Sequence, residues 1–137
     1  MGKGIYELFT TDKDLERKGF ALQYGETTFI IARAGGANKK FQSLIERKLR
    51  PYRTAINAGT MDEDVAERLL AEAYADSVIL AWENVCEPEP DCTPIDFTKE
   101  NVVRVLLALP DLFRDIQEQS QKVSNFLRDG VLEDAKS

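Results

Sequence analysis

The side chains best placed to do chemistry are cations crowded into one short stretch. Positions 33–53 hold Arg33, Lys39, Lys40, Arg47, Lys48, Arg50 and Arg53 against a single acid, Glu46. The chemistry on offer is ionic pairing. Up to Ala55 there are 11 Lys and Arg against 6 Asp and Glu, and from Ile56 onward 7 against 18. The two parts are therefore +5 and −11 and sum to the net −6. Three readings fit the basic run. It is a solvated helix face, or it meets an acidic protein such as the acidic part of another copy, or it binds nucleic acid. Nucleic acid is the least favoured, because the chain is acidic overall and only Phe41 and Tyr52 interleave with the cations.

Other chemistry is restricted by composition. Histidine is absent, which removes Ser-His-Asp and Cys-His catalysis and the commonest general base near neutral pH. Cys86 and Cys92 enclose Glu-Pro-Glu-Pro-Asp, too few ligands for a metal site, and are expected to be reduced thiols in an exposed loop. A disulfide between them is the alternative in an oxidising compartment. Gly35-Gly36 lacks the partner glycines or the Gly-Lys-Ser/Thr of a phosphate loop. No catalytic residue, cofactor or metal is expected. The longest uncharged apolar run, Val105 to Pro110, is far short of the ~20 residues of a membrane span. The opening Met-Gly-Lys-Gly lacks a secretory apolar core, and Thr10 lies too far along for a myristoylation motif. The expected address is the cytoplasm.

The elements that position the cations follow from periodicity. At 137 residues the chain reads as one domain, 1–137, with an arm over 1–19 that is either a helical turn or irregular. Phe20, Leu22 and Tyr24 alternate with Ala21 and Gln23, and Phe29 and Ile31 with Thr28 and Ile30. With Gly25-Glu26 between them, 20–33 reads as a β-hairpin closed by a type II′ turn. Gly35-Gly36 then break the strand, and Asn38 is the expected N-cap of a helix to Leu49 with Phe41, Leu44, Ile45 and Leu49 inward. Pro51 kinks or restarts the helix, which runs to Ala58 and stops at Gly59. Thr60 and Glu63 read as a capping box for a long central helix to about Val85, whose inner stripe includes Tyr74, Val78, Ala81 and Trp82. Three prolines and four acids make 86–96 a loop. Thr98 caps a nearly all-apolar helix, and Pro110 starts a last helix that Gly130 ends. The fold class is mainly α (α+β): a compact bundle of four to five helices over 38–130, an N-terminal hairpin, and a fraying tail at 131–137.

Several segments, taken in order, carry a resemblance. They are Tyr24-Gly25, Ile31-Ala-Arg-Ala-Gly-Gly-Ala-Asn-Lys, Arg50-Pro51-Tyr52-Arg53, Trp82-Glu83-Asn84-Val85, Phe97-Thr98-Lys99-Glu100-Asn101 and Leu109-Pro110-Asp111-Leu112-Phe113. Together they resemble the tail assembly chaperones of long-tailed bacteriophages and prophages, from about Leu8 to Lys136. No single motif is specific; the ordered set is. The resemblance implies a non-enzymatic, helix-rich protein of the host cytoplasm, absent from the mature virion. Such a protein keeps the tape-measure protein soluble while tail-tube subunits assemble around it. Implied partners are the tape-measure protein, a longer frameshifted form of the same chain, the tail-tube protein and further copies of itself, with no membrane. The client would lie in a groove lined by Leu70, Tyr74, Val78 and Leu106, with the basic stretch setting register. The alternatives are a minor structural tail component and a small nucleic-acid-binding phage regulator.

Overall fold

A three-stranded antiparallel sheet, with helices packed on one of its faces, organises the chain. The computed structural model describes residues 4–127. The expected helix end at Gly130 and the fraying tail at 131–137 lie outside them. Short helices α1 (Ile5–Phe9) and α2 (Lys13–Lys18) precede β1 (Phe20–Tyr24) and β2 (Thr27–Ile31). Helix α3 (Lys39–Leu49) leads through a 3-10 turn, Arg50–Tyr52, into α4 (Arg53–Ala58). Then come α5 (Glu63–Ser77), β3 (Ile79–Glu83), α6 (Lys99–Ala108), α7 (Pro110–Gln121) and a second 3-10 turn, Val123–Phe126.

The hairpin forms as its sequence predicts. Phe20 pairs with Ile31 and Leu22 with Phe29, which puts all four on the helix-facing side. Gly25 takes φ +61°, and Glu26 is not among the non-glycine residues with positive φ, as a type II′ turn requires. Gly19, at φ +85°, is where β1 begins. A Cβ there would stand 2.7 Å from the Ile31 carbonyl oxygen, so only glycine allows α2 to approach the sheet this closely.

The central helix is shorter than expected, because α5 stops at Ser77 and residues 79–83 form a third strand instead. β3 pairs with β2, which becomes the middle of the sheet, ordered β1-β2-β3. Ile30 faces Ala81 while Ile31 faces Ile79, so Leu80 is an extra residue in a bulge. The bulge turns Ile79 and Trp82, three apart, towards the same face. A spacing of three is also helical, which is why this run reads as a continuation of α5. What decides for strand is β2, about fifty residues upstream, whose Phe29 and Ile31 receive Trp82 and Ile79.

Phe29, Ile31, Tyr74, Val78, Ile79, Val102, Leu106, Phe113 and Ile116 are all buried in one cluster. Aromatic rings run through it edge-on, Phe41 to Tyr74 to Phe113, with centroids 5.1 and 5.3 Å apart. Helix α6 is buried along Val102, Val103, Val105 and Leu106, but Leu109 at its end is half exposed. Helix α7 ends at Gln121, earlier than expected, and the chain turns at Lys122 so that Phe126 and Leu127 pack back against the N-terminal segment. Thr11 bridges to Leu127, and the Asp12 N–H donates to the Phe126 carbonyl at 2.7 Å.

Two helix caps differ from the sequence reading and one matches it. Asn38 occupies the N-cap position, but its side chain makes no cap bond. It is buried and donates instead to the carbonyls of Arg33 and Ser77, both at 2.8 Å, tying the end of β2 to the end of α5. The N-cap of α5 is Asp62 rather than Thr60, accepting from the Asp64 N–H at 2.8 Å. Thr98 caps α6 as expected.

Candidate interaction surfaces

The basic stretch divides into paired and unpaired cations. Arg33 donates to Glu16 and lies over the Phe126 ring at 5.9 Å. Lys48 meets Glu72 on α5 at 3.0 Å. Lys39, Lys40, Arg47, Arg50 and Arg53 are exposed and form no ion pair among the described residues. The two paired cations are structural, and the other five project from α3 (Lys39, Lys40, Arg47), the 3-10 turn (Arg50) and α4 (Arg53), which packs mainly on that turn. Tyr52 and Ile56 are exposed on this same projection.

Glu16 is the structural centre of the Arg33 pair. It is only 2% exposed, and it accepts from Arg33 and from the Ala37 N–H at 3.1 Å. Burial pushes its carboxyl up, but the bonds from Arg33, Ala37 and Thr11 together outweigh burial and hold it below the usual value.

The expected client groove is not a groove. Tyr74, Val78 and Leu106 are 1%, 0% and 0% exposed, and Leu70 is partly buried against the same cluster. These residues fall at helical spacing because they build the core, and periodicity cannot tell a core stripe from an unfilled cleft. A small apolar cluster legible in the N-terminal segment, Ile5, Tyr6, Leu8 and Phe9, is instead exposed on α1, with Tyr6 83% exposed. Their signal was local, since four of five residues in that helix are apolar or aromatic.

A second surface surrounds the 83–97 segment. Cys86 and Cys92 are joined in a disulfide, with Cα atoms 4.8 Å apart, correcting the expectation of free thiols. The segment folds back on itself, the Ile95 N–H donating to Val85 and the Glu87 N–H to Thr93, which places the two cysteines side by side. Spacing alone does not reveal that return. An open cleft of about 690 Å³ lies here, lined by Trp82, Val85, Pro94, Ile95 and Phe97 among others. Trp82 donates its indole N–H to the Ile95 carbonyl at 3.1 Å and meets the Phe97 ring edge-on at 5.4 Å. Glu26 and Asp96 of its lining are exposed and without ion pairs among the described residues, as are Glu83, Glu89 and Asp91 of the same segment. The nearby cations are engaged: Lys99 pairs with Asp76, and Arg104 with Glu87.

Among the described residues, no three His, Cys, Asp or Glu side chains stand together as metal ligands, and no helix is long and apolar enough to cross a membrane. No curated protein and no solved structure shows significant similarity to the chain. Residues 36–136, about three-quarters of the sequence, match the model of a family described as YdaY prophage protein. A chain whose α3-to-α7 body and basic projection fall within that match belongs to the YdaY prophage protein family.

Proposed function

We propose that this prophage protein is a non-enzymatic tail assembly chaperone that keeps the tape-measure protein soluble while the tail tube forms. The observation that carries the reading is the ordered set of segments resembling tail assembly chaperones, most of it inside the prophage-family match. A holder of a long helical client needs apolar surface and a charged surround that speeds and orients encounter. Helix α1 offers the first and the unpaired cations of α3 and α4 the second. In this reading copies of the chain associate through basic and acidic surfaces, act in the host cytoplasm and are absent from the virion. The absence of histidine from the sequence fits a protein that binds and does not catalyse.

The test is co-expression with the tape-measure protein of the same prophage, scoring how much client stays soluble. Lys39→Glu/Lys40→Glu/Arg47→Glu changes exposed cations only, whereas Lys48 must stay because its reversal would set two carboxylates against each other at Glu72. Wild type is expected to keep the client soluble and the triple variant to lose most of that effect while remaining folded. A client that aggregates equally with or without the wild-type chain rejects the chaperone reading.

A further inference from the structure

The bond between Cys86 and Cys92 closes a segment that stands outside the core. None of residues 86–92 belongs to the buried cluster, and Trp82 and Val85 before them only pack against it. The folded-back course of the segment is held by two backbone bonds, from the Glu87 N–H to Thr93 at 2.8 Å and from the Ile95 N–H to Val85 at 2.9 Å. Arg104 adds a fork on the Glu87 carboxylate at 3.1 and 3.2 Å, exposed on both sides and therefore weak. Backbone strain gathers at the same place. Among the described residues, the non-glycine positions with positive φ are Asn84 at +61° and Cys92 at +41°. Asparagine tolerates that conformation, but a cysteine keeps it only where its surroundings impose it. Cys92 is exposed, and the covalent bridge is what imposes it there.

We propose that the Cys86–Cys92 bridge is a thiol-reversible latch that sets whether the Trp82–Phe97 cleft is formed. Residues 94–97, the returning half of the segment, make one wall of that cleft, and Trp82, Val85 and Cys86 lie across from them. The closed bridge holds 85–87 against 93–95, and so keeps the Ile95 carbonyl on the Trp82 indole N–H. With the bridge open, two surface backbone bonds must order the loop alone. Fixing the backbone of a single residue costs about as much as one such bond returns, so the loop is released. Ile95 then lets go of the indole. Asp96, whose carbonyl accepts from Asn101 at 3.0 Å, marks where the release ends.

The latch turns by exchange with a small thiol such as glutathione, which reaches exposed bridges most readily. A glutathione thiolate attacks Cys92 Sγ, and the sulfur–sulfur bond breaks with its electron pair on Cys86 Sγ, which takes up a proton. A second glutathione thiolate attacks the glutathione sulfur of the mixed disulfide, and Cys92 leaves as a thiolate and is protonated. One protein disulfide is thereby reduced to two thiols, and two glutathiones are oxidised to one glutathione disulfide. The latch does not depend on the chaperone reading or on what occupies the cleft.

Trp82 is the single tryptophan of the chain, so its emission reads the cleft directly. The purified full chain is oxidised with glutathione disulfide and then titrated with reduced glutathione, free thiols being trapped by alkylation and counted by mass. The bridge is expected to open at the glutathione poise of a reducing cytosol, with Trp82 emission moving to longer wavelength. Amide exchange at Glu87 and Ile95 should rise by about tenfold or more, while the α6 amides keep their protection. Glutathione disulfide should restore the starting state. Cys86→Ser/Cys92→Ser should match the reduced chain in emission and exchange and ignore glutathione. The latch is refuted if the bridge does not form under glutathione disulfide, if it persists at the cytosolic poise, or if it opens with Trp82 emission and both exchange rates unchanged. It is refuted equally if opening strips protection from α6, because the bridge then supports the whole fold. Client solubilisation is a separate measurement, so a failure here leaves the chaperone reading to its own test.

Discussion

Replacing Glu16 with alanine should be among the most damaging single changes to the chain. Glu16 fastens α2 to the 33–37 segment through its side chain, while its own carbonyl accepts from the Arg33 N–H at 2.8 Å. Truncation removes a hydrogen bond between charged groups, worth about 1.5–3 kcal/mol, and leaves the Ala37 N–H unpaired at a cost of about 1–3 kcal/mol. Arg33 keeps 21% of its side chain exposed and can rehydrate in part, so the low end of each range applies. The expected loss is about 2.5 kcal/mol, just under what breaking a fully buried pair costs. With a urea slope of about 2 kcal/mol/M the unfolding midpoint should fall by about 1.2 M at unchanged slope. Glu16→Gln keeps the shape but not the charge and should separate packing from electrostatics. Because the folded carboxyl lies below its ordinary value of 4.5, its stabilisation is complete above that pH and fades as pH falls through the folded value. The wild type should therefore lose stability below about pH 4.5 more steeply than Glu16→Gln. A midpoint shift under about 0.3 M for Glu16→Ala, or parallel acid profiles for wild type and Glu16→Gln, would refute the reasoning.

Two other perturbations follow from the packing and the loop. Leu106→Ala should cost about 2–5 kcal/mol by chemical denaturation, whereas Leu109→Ala should change stability by no more than about 0.5 kcal/mol; equal effects would contradict their exposures of 0% and 51%. Thiol titration of unreduced protein should find no free cysteine, and Cys86→Ser/Cys92→Ser should lower stability by up to about 2 kcal/mol and open the 87–91 loop to limited proteolysis. Unchanged stability together with an unchanged cleavage rate would show that the bridge constrains nothing.

Features set by neighbours in sequence were legible from the sequence, and those set by distant partners were not. The hairpin was readable because Gly25-Glu26 and the flanking alternation specify it within a dozen residues. The stop at Gly59 and the cap at Thr98 were readable for the same reason. β3 was not, because the Leu80 bulge gives Ile79 and Trp82 a helical spacing, and the strand that captures them is distant in sequence. Asn38 has the residue type and position of a helix cap, yet tertiary structure engages its side chain elsewhere. The basic run was visible as a run. That Arg33 and Lys48 are withdrawn from it depends on Glu16 and Glu72, which only the folded chain brings near. The groove of Tyr74, Val78 and Leu106 failed because apolar periodicity marks burial without saying what does the burying.

The middle position of β2 bears on how the chain divides for study. The prophage-family match begins at residue 36, after β2 has ended. A fragment cut at that boundary keeps β3 but removes the only strand that pairs with it among the described residues. It also strips Phe29 and Ile31 from the core and removes Ala34, whose N–H donates to the Ser120 carbonyl of α7, and Arg33, whose carbonyl accepts from Asn38. Ile79 and Trp82 would then lose Ile31 and Phe29 from a sheet reduced to one strand. The recognisable stretch of sequence and the unit that folds are thus different lengths of chain, and the second starts before the first.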